Sequence, residues 1–207
     1  KCKVTPSDGT DTGSKVTAKI TIANTAPVAS GGSIAPASPT VSDTLTCSHS
    51  FFDADGDADA STIEWSIGGS SIGTGASLSS GFSSGDEVIC TVTPTDDEES
   101  GAPESASVII GNSAPVVSNV EITPTPAIES DTLTCNYTFA DADGDSDAST
   151  IAWTVGSTPA GSGPSLSGAF VKGDTVTCTV TPNDGTDLGA AQSDQIVIEN
   201  TAPMVSN

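Results

Sequence analysis

Apolar and polar residues alternate along most of this chain, and Val, Ile and Thr dominate the alternation. In the stretch 44–51, Leu45, Cys47, His49 and Phe51 share one parity, while Thr44, Thr46, Ser48 and Ser50 share the other. Successive side chains of a strand point to opposite faces, so this pattern predicts a half-buried strand. Leu133, Cys135, Tyr137 and Phe139 predict its counterpart. Further strands are predicted through Ile63, Trp65 and Ile67, and through Ile151, Trp153 and Val155. Others run through Val88, Cys90 and Val92, and through Val176, Cys178 and Val180, ending at Pro94 and Pro182. The last type holds Ala106, Val108 and Ile110, with Ala18, Ile20 and Ile22 as an equivalent near the start. Gly68-Gly69-Ser70-Ser71 reads as a turn. Gly73-Thr74-Gly75 and Gly161-Ser162-Gly163 read as turns too, since no helix follows to make them phosphate loops. No segment sustains a helical period, which makes the expected fold class all-β.

The alternation is itself repeated every 88 residues. Cys2, Cys90 and Cys178 recur at that interval, as do Cys47 and Cys135. Asn24, Asn112 and Asn200 each open an Asn-(Thr/Ser)-Ala-Pro tetrapeptide at the same spacing. A period this strict marks an array of like modules. Residues 24–111 and 112–199 are expected to be complete modules, 1–23 the closing part of a preceding one, and 200–207 the start of a following one. The chain therefore reads as an excerpt of a longer array.

The cysteine order adds a fold. Each module has a Cys, then a Trp, then a second Cys, the order found in immunoglobulin-like sandwiches, where the Trp packs on a bridge between sheets. The period pairs Cys47 with Cys90 and Cys135 with Cys178, leaving Cys2 to pair upstream. Metal binding is the rival reading of these cysteines, but no Cys-x-x-Cys or nearby histidine supports it. Disulfides imply an oxidising compartment, so an extracellular or cell-surface location is expected.

Charge narrows the partners. The formal net charge is −22, with 27 acidic residues against five lysines and no arginine. Nucleic acid is a poor partner for such a chain, because phosphate binding needs basic side chains. Anionic membranes are disfavoured for the same reason, and no apolar run approaches the roughly 20 residues of a membrane span. The expected partners are neighbouring repeats of the same chain and like chains in a filament.

Several segments carry a family resemblance: Asn-(Thr/Ser)-Ala-Pro, Asp-Thr-Leu-Thr-Cys at 43–47 and 131–135, Asp-Ala-Asp-Gly-Asp at 53–57 and 141–145, Trp65 and Trp153, and Val-Thr-Pro-Asn-Asp-Gly at 180–185. On these, the chain resembles the tandem bacterial immunoglobulin-like repeats, of the polycystic-kidney-disease-like and cadherin-like kind, of very large surface and secreted proteins. The resemblance covers the whole chain. It implies tandem β-sandwiches and a structural role, and it is specific for a repeat class more than for a task.

The clearest chemical constellation is Asp53, Asp55, Asp57 and Asp59 around Gly56, repeated as Asp141, Asp143, Asp145 and Asp147 around Gly144. Alternate carboxylates with a central glycine let several oxygens converge on a hard cation such as calcium, although the bidentate glutamate of an EF-hand loop is missing. The alternative is a solvated acidic turn. In a sandwich, the loop before the last strand lies at the same end as this one. That loop carries Asp96, Asp97, Glu98 and Glu99, or Asp184 and Asp187, and the entering linker brings Asn24 or Asn112. Crowded carboxylates raise one another's pKa, which favours a bound cation. Calcium at each junction is the expectation, stiffening the array as the resemblance to cadherin-like repeats implies.

The remaining candidates carry less. His49, the one histidine, has Tyr137 as its counterpart, and the two share no acid–base role; a structural place near the core edge is expected. Asp55 and Asp57 sit on one loop rather than across a cleft, unlike a glycosidase pair. No enzymatic activity is expected. Asn136-Tyr137-Thr138 is a glycosylation sequon on the outward parity of its strand, and Ser/Thr richness allows O-linked sugars. A structural segment of a fibre, stalk or filament is the favoured function. An adhesin or carbohydrate-binding module, for which Phe52 is the one outward aromatic, and a spacer of a secreted enzyme are the alternatives.

Overall fold

The computed structural model describes residues 1–201 and 203, and every regular element in it is a strand. A short hairpin comes first, β1 (Cys2–Val4) with β2 (Val16–Ala18). There follow β3 (Val28–Ala35), β4 (Leu45–Phe52), β5 (Thr62–Ile67), β6 (Ser70–Thr74), β7 (Ser77–Leu78), β8 (Glu87–Thr93) and β9 (Glu104–Ile109). These form two sheets, β3-β4-β7 and β6-β5-β8-β9. The pattern recurs in β10 (Val116–Thr123), β11 (Ala127–Ile128), β12 (Thr132–Ala140), β13 (Thr150–Val155), β14 (Thr158–Ser162), β15 (Ser165–Ser167), β16 (Thr175–Thr181) and β17 (Gln192–Glu199). Here the sheets are β10-β12-β15 and β11-β17-β16-β13-β14. The chain is thus two immunoglobulin-like β-sandwiches in tandem, each with its own core.

Each core lies between its two sheets. Leu45 and Cys47 from one sheet meet Trp65, Val88, Cys90 and Val92 from the other; Leu133 and Cys135 meet Trp153, Val176, Cys178 and Val180. Disulfides join Cys47 to Cys90 and Cys135 to Cys178, with Cα–Cα distances of 6.4 and 6.2 Å. Trp65 stands opposite Cys90 in the β5–β8 ladder, and Trp153 opposite Cys178. Each indole is fully enclosed, so its N–H needs a partner. The carbonyl of Gly75 takes it at 2.8 Å, and that of Gly163 at 2.9 Å.

The glycine-rich stretches therefore do more than turn the chain. Gly68 and Gly69 form the tight connection between β5 and β6, but Ser70, Ser71, Gly73 and Thr74 belong to β6, and Gly161 and Ser162 to β14. Their side chains are too small to give an apolar alternation, which is why periodicity read them as turns. A Cβ at Gly73 would stand 2.8 Å from the Leu78 side chain, and one at Gly161 3.0 Å from Leu166. Small residues are needed there for the edge strand to close over the core.

The first strands, β3 and β10, also lack a clean alternation, because a bulge interrupts each between Ser30 and Ser33, or Ser118 and Glu121. The bulge places Gly31 at φ 68° and its counterpart Asn119 at φ 53°. The N–H groups freed nearby are taken by carboxylates of the last strand, Gly32 by Glu104 at 3.1 Å and Ile122 by Asp194 at 2.9 Å. Near the start, the strand expected through Ala18, Ile20 and Ile22 extends only over Val16–Ala18, with Ile20 and Ile22 78% and 77% exposed. No second sheet faces this hairpin among the described residues, so nothing rewards those side chains for staying in register. The expected segment 200–207 lies largely outside the described residues.

Candidate functional site

The two acidic loops of each module and its entering tetrapeptide lie together at one end. The loop between β4 and β5 is organised by its first aspartate. Asp53 Oδ1 accepts the backbone N–H groups of Asp55 and Gly56 at 2.8 Å and of Asp57 at 3.1 Å. Asp141 Oδ1 does the same for Asp143 and Asp145. Gly56 and Gly144 turn the chain at φ 85° and 83°, where a side chain would be strained.

From this turn one carboxylate reaches the linker. Asp55 Oδ2 accepts the Thr25 N–H at 2.7 Å, and Asp143 Oδ2 accepts the Ser113 N–H at 2.5 Å. The far end of the loop is tied to the strand before it. Asp59 lies 3.5 Å from His49 Nε2, and Tyr137 Oη donates to Asp147 at 2.9 Å. Tyr137 thus holds its loop by a hydrogen bond, where His49 at the equivalent position stands beside Asp59 without one. The Ser61 hydroxyl, and then its backbone N–H and the neighbouring His49, hold the Asp59 carboxyl below its ordinary range against the effect of burial. Burial, and then the bond to Asp147, push the Tyr137 hydroxyl up.

The second acidic loop, between β8 and β9, holds the linker from the other side. Asp96 Oδ1 accepts the N–H groups of Glu98 and Glu99, and its Oδ2 accepts Asn24 Nδ2 at 2.8 Å. Asp184 repeats this with Thr186, Asp187 and Asn112 Nδ2 at 2.9 Å, and Asp187 also accepts from Asn112 at 3.0 Å. Asp96 and Asp184 are the buried charged residues of the described structure. The Asn24 amide, and then the loop N–H groups, lower the Asp96 pKa. For Asp184 the Asp187 N–H leads and Asn112 follows. At the base of the loop Gly101 lies against the Pro27 carbonyl, where a Cβ would come within 1.8 Å of the oxygen, and Gly189 lies equally close to Pro115.

These bonds redistribute the candidate ligands. Asn24, Asn112, Asp96, Asp184, Asp59 and Asp147 have protein partners, and Asp97 points outward on an exposed turn at φ 73°. The carboxylates of the two loops hold neighbouring linker atoms rather than gathering at one point. Among the described residues, Asp141, Asp143 and Asp145 form the one group whose ligand atoms converge, all within 4.8 Å of one another. Asp141 Oδ2 and Asp143 Oδ1 are buried with no hydrogen-bond partner, as is Asp53 Oδ2 in the first module. A buried anionic oxygen without a donor is costly, and a hard cation is the natural partner for several at once. The residues of this loop fit calcium on that ground.

Asn136 is exposed on β12, and its amide donates to Thr123 Oγ1 at 3.0 Å. Gly101, Gly189, Pro27 and Pro115 were missed by sequence reasoning. Their recurrence at the period was visible, but their contact depends on where the linker crosses the loop.

No protein-family model and no curated relative matches the chain in sequence. Among solved structures, it is similar to a two fibronectin type-III domain segment from chicken tenascin. The identity is 11%, the match covers 82% of this chain and 98% of that one, and the TM-score is 0.44. It is also similar to the three N-terminal domains of the highly immunogenic outer capsid protein (Hoc) of bacteriophage RB49. Here the identity is 16%, the coverage 86% and 71%, and the TM-score 0.37. The fold assignment rests on the strand order and the cores described above.

Proposed function

We propose that this chain is a load-carrying segment of an extracellular fibre, stalk or filament, built from disulfide-stapled sandwiches whose entering linkers are clasped by acidic loops. The observation that carries this reading is the recurrence, 88 residues apart, of one whole clasp: linker asparagine to Asp96 or Asp184, linker N–H to Asp55 or Asp143, and proline carbonyl on Gly101 or Gly189. Pulling on the linker loads several hydrogen bonds of the module it enters before it loads the core. The likeness to polycystic-kidney-disease-like and cadherin-like repeats supports the same role, and the disulfides suit an oxidising compartment.

Calcium belongs to this proposal. Asp141, Asp143 and Asp145 would hold it in the second module, and Asp53, Asp55 and Asp57 by repeat position in the first. The ion supplies positive charge to oxygens that lack donors. Because Asp143 also holds the Ser113 N–H, binding would stiffen the clasp. Calorimetric titration of the chelator-treated chain with calcium tests this. Heat of binding from which Asp143→Asn removes the second module's share, with a rise in thermal midpoint on binding, is expected. Unchanged stability across calcium and chelator would refute the cation while leaving the clasp intact.

A further inference from the structure

Four of the five lysines lie in the first 19 residues, and the hairpin there gathers them on one face. Lys3 stands opposite Thr17, between the pairs Cys2–Ala18 and Val4–Val16. Lys1, Lys15 and Lys19 each lie one residue beyond an end of β1 or β2, and continuing the alternation that far sets them with Lys3 on the Thr17 side, opposite Cys2, Val4, Val16 and Ala18. All four lysines are exposed, and none forms an ion pair among the described residues.

The repeat does not ask for these charges. At the equivalent outward positions the complete modules carry Ile89, Thr91, Pro103 and Ser107, or Thr177, Thr179, Ala191 and Gln195. The same fold forms without a cation there, so the lysines serve something other than packing. Beyond them, the chain offers one lysine, Lys172, against an overwhelming excess of carboxylates. The most available of these are Asp97, Glu98 and Glu99, three consecutive exposed acids whose side chains accept no hydrogen bond from the described chain. Their counterparts Gly185, Thr186 and Asp187 hold one carboxylate, already used by Asn112.

We propose that the lysine face docks on the Asp97-Glu98-Glu99 loop of a second copy of this chain, joining arrays side by side. The contact adds a partner to the structural role proposed above and rests on that reading. Its two surfaces differ, so each copy offers one of each and association can propagate. Two copies of net charge −22 repel at long range. At physiological ionic strength the screening length is about 8 Å, which confines that repulsion while leaving the close pairs attractive. At about 1 M salt it is about 3 Å, and the pairs weaken too.

Sedimentation of the 207-residue chain carrying Cys2→Ser, at about 0.15 and 1 M NaCl, tests the proposal. The expected result is a mass at least twice the 20.4 kDa of one chain at the lower salt, returning to one chain at the higher. Lys3→Glu with Lys19→Glu should abolish association, as should Glu98→Lys with Glu99→Lys, and mixing the two variants should restore it. All four positions are exposed, so the variants keep the fold, which circular dichroism checks. A monomer at both salts overturns the proposal. So does association that survives the lysine reversals, or lysine-dependent capture of heparin in place of a second copy. Failure of the structural role itself would show under force and leave sedimentation unchanged.

Discussion

A methyl group at Gly101 would meet the Pro27 carbonyl at 1.8 Å, and backbone cannot yield as a side-chain tip can. Gly101→Ala should therefore destabilise the first module by about 2–4 kcal/mol in urea unfolding, in the range of severe single substitutions. Gly32→Ala, whose Cβ would meet Glu104 at an ordinary 3.5 Å, is the control expected to cost far less. Asp97 presents the opposite case. It adopts φ 73° where Gly9 and Gly185 adopt 94° and 95°, so Asp97→Gly should relieve roughly 1 kcal/mol of left-handed strain. The clasp also predicts acid sensitivity. Asp96 and Asp184 have lowered pKa values in the folded state, so the stability they contribute is present above the unfolded value near 3.8. It is lost as pH falls through the lower folded values. Asn24→Ala should flatten this acid limb for the first module in thermal unfolding between pH 5 and about 2.

Elements differ in how far they could be read from residues. The strands that line the core were legible because Leu45, Cys47, Trp65, Val88, Cys90 and Val92 alternate with polar residues and are buried. The edge strands β6 and β14 were not, since they use glycine and serine where the sheet closes tightly. The first strands were hidden by their bulges, where Gly31 and Asn119 break the alternation. Asp53-Ala-Asp-Gly-Asp was visible as an acidic loop, but the partition of its carboxylates between turn, linker and open oxygens depends on distances no pattern contains. The disulfide adds to the stability of each module. Closing a loop over a sequence separation of 43 residues should contribute about 4 kcal/mol by the chain-entropy account. Reduction, or Cys47→Ala, should lower the urea midpoint of that module sharply.

At the scale of the whole molecule, the two sandwiches are joined by a linker that each module fastens to itself. In the proposed role the bridge and the clasp would act on different parts of the chain under tension: the clasp would resist first, and the bridge would limit how far a failed module can extend. Pulling the chain end to end in a single-molecule instrument tests this directly. The account predicts discrete unfolding steps, each releasing only the roughly half of a module that lies outside the loop from Cys47 to Cys90 or from Cys135 to Cys178. Reduction should about double the length of each step, and Gly101→Ala should lower the force of one. Smooth extension without steps, or step lengths indifferent to reduction, would contradict the account.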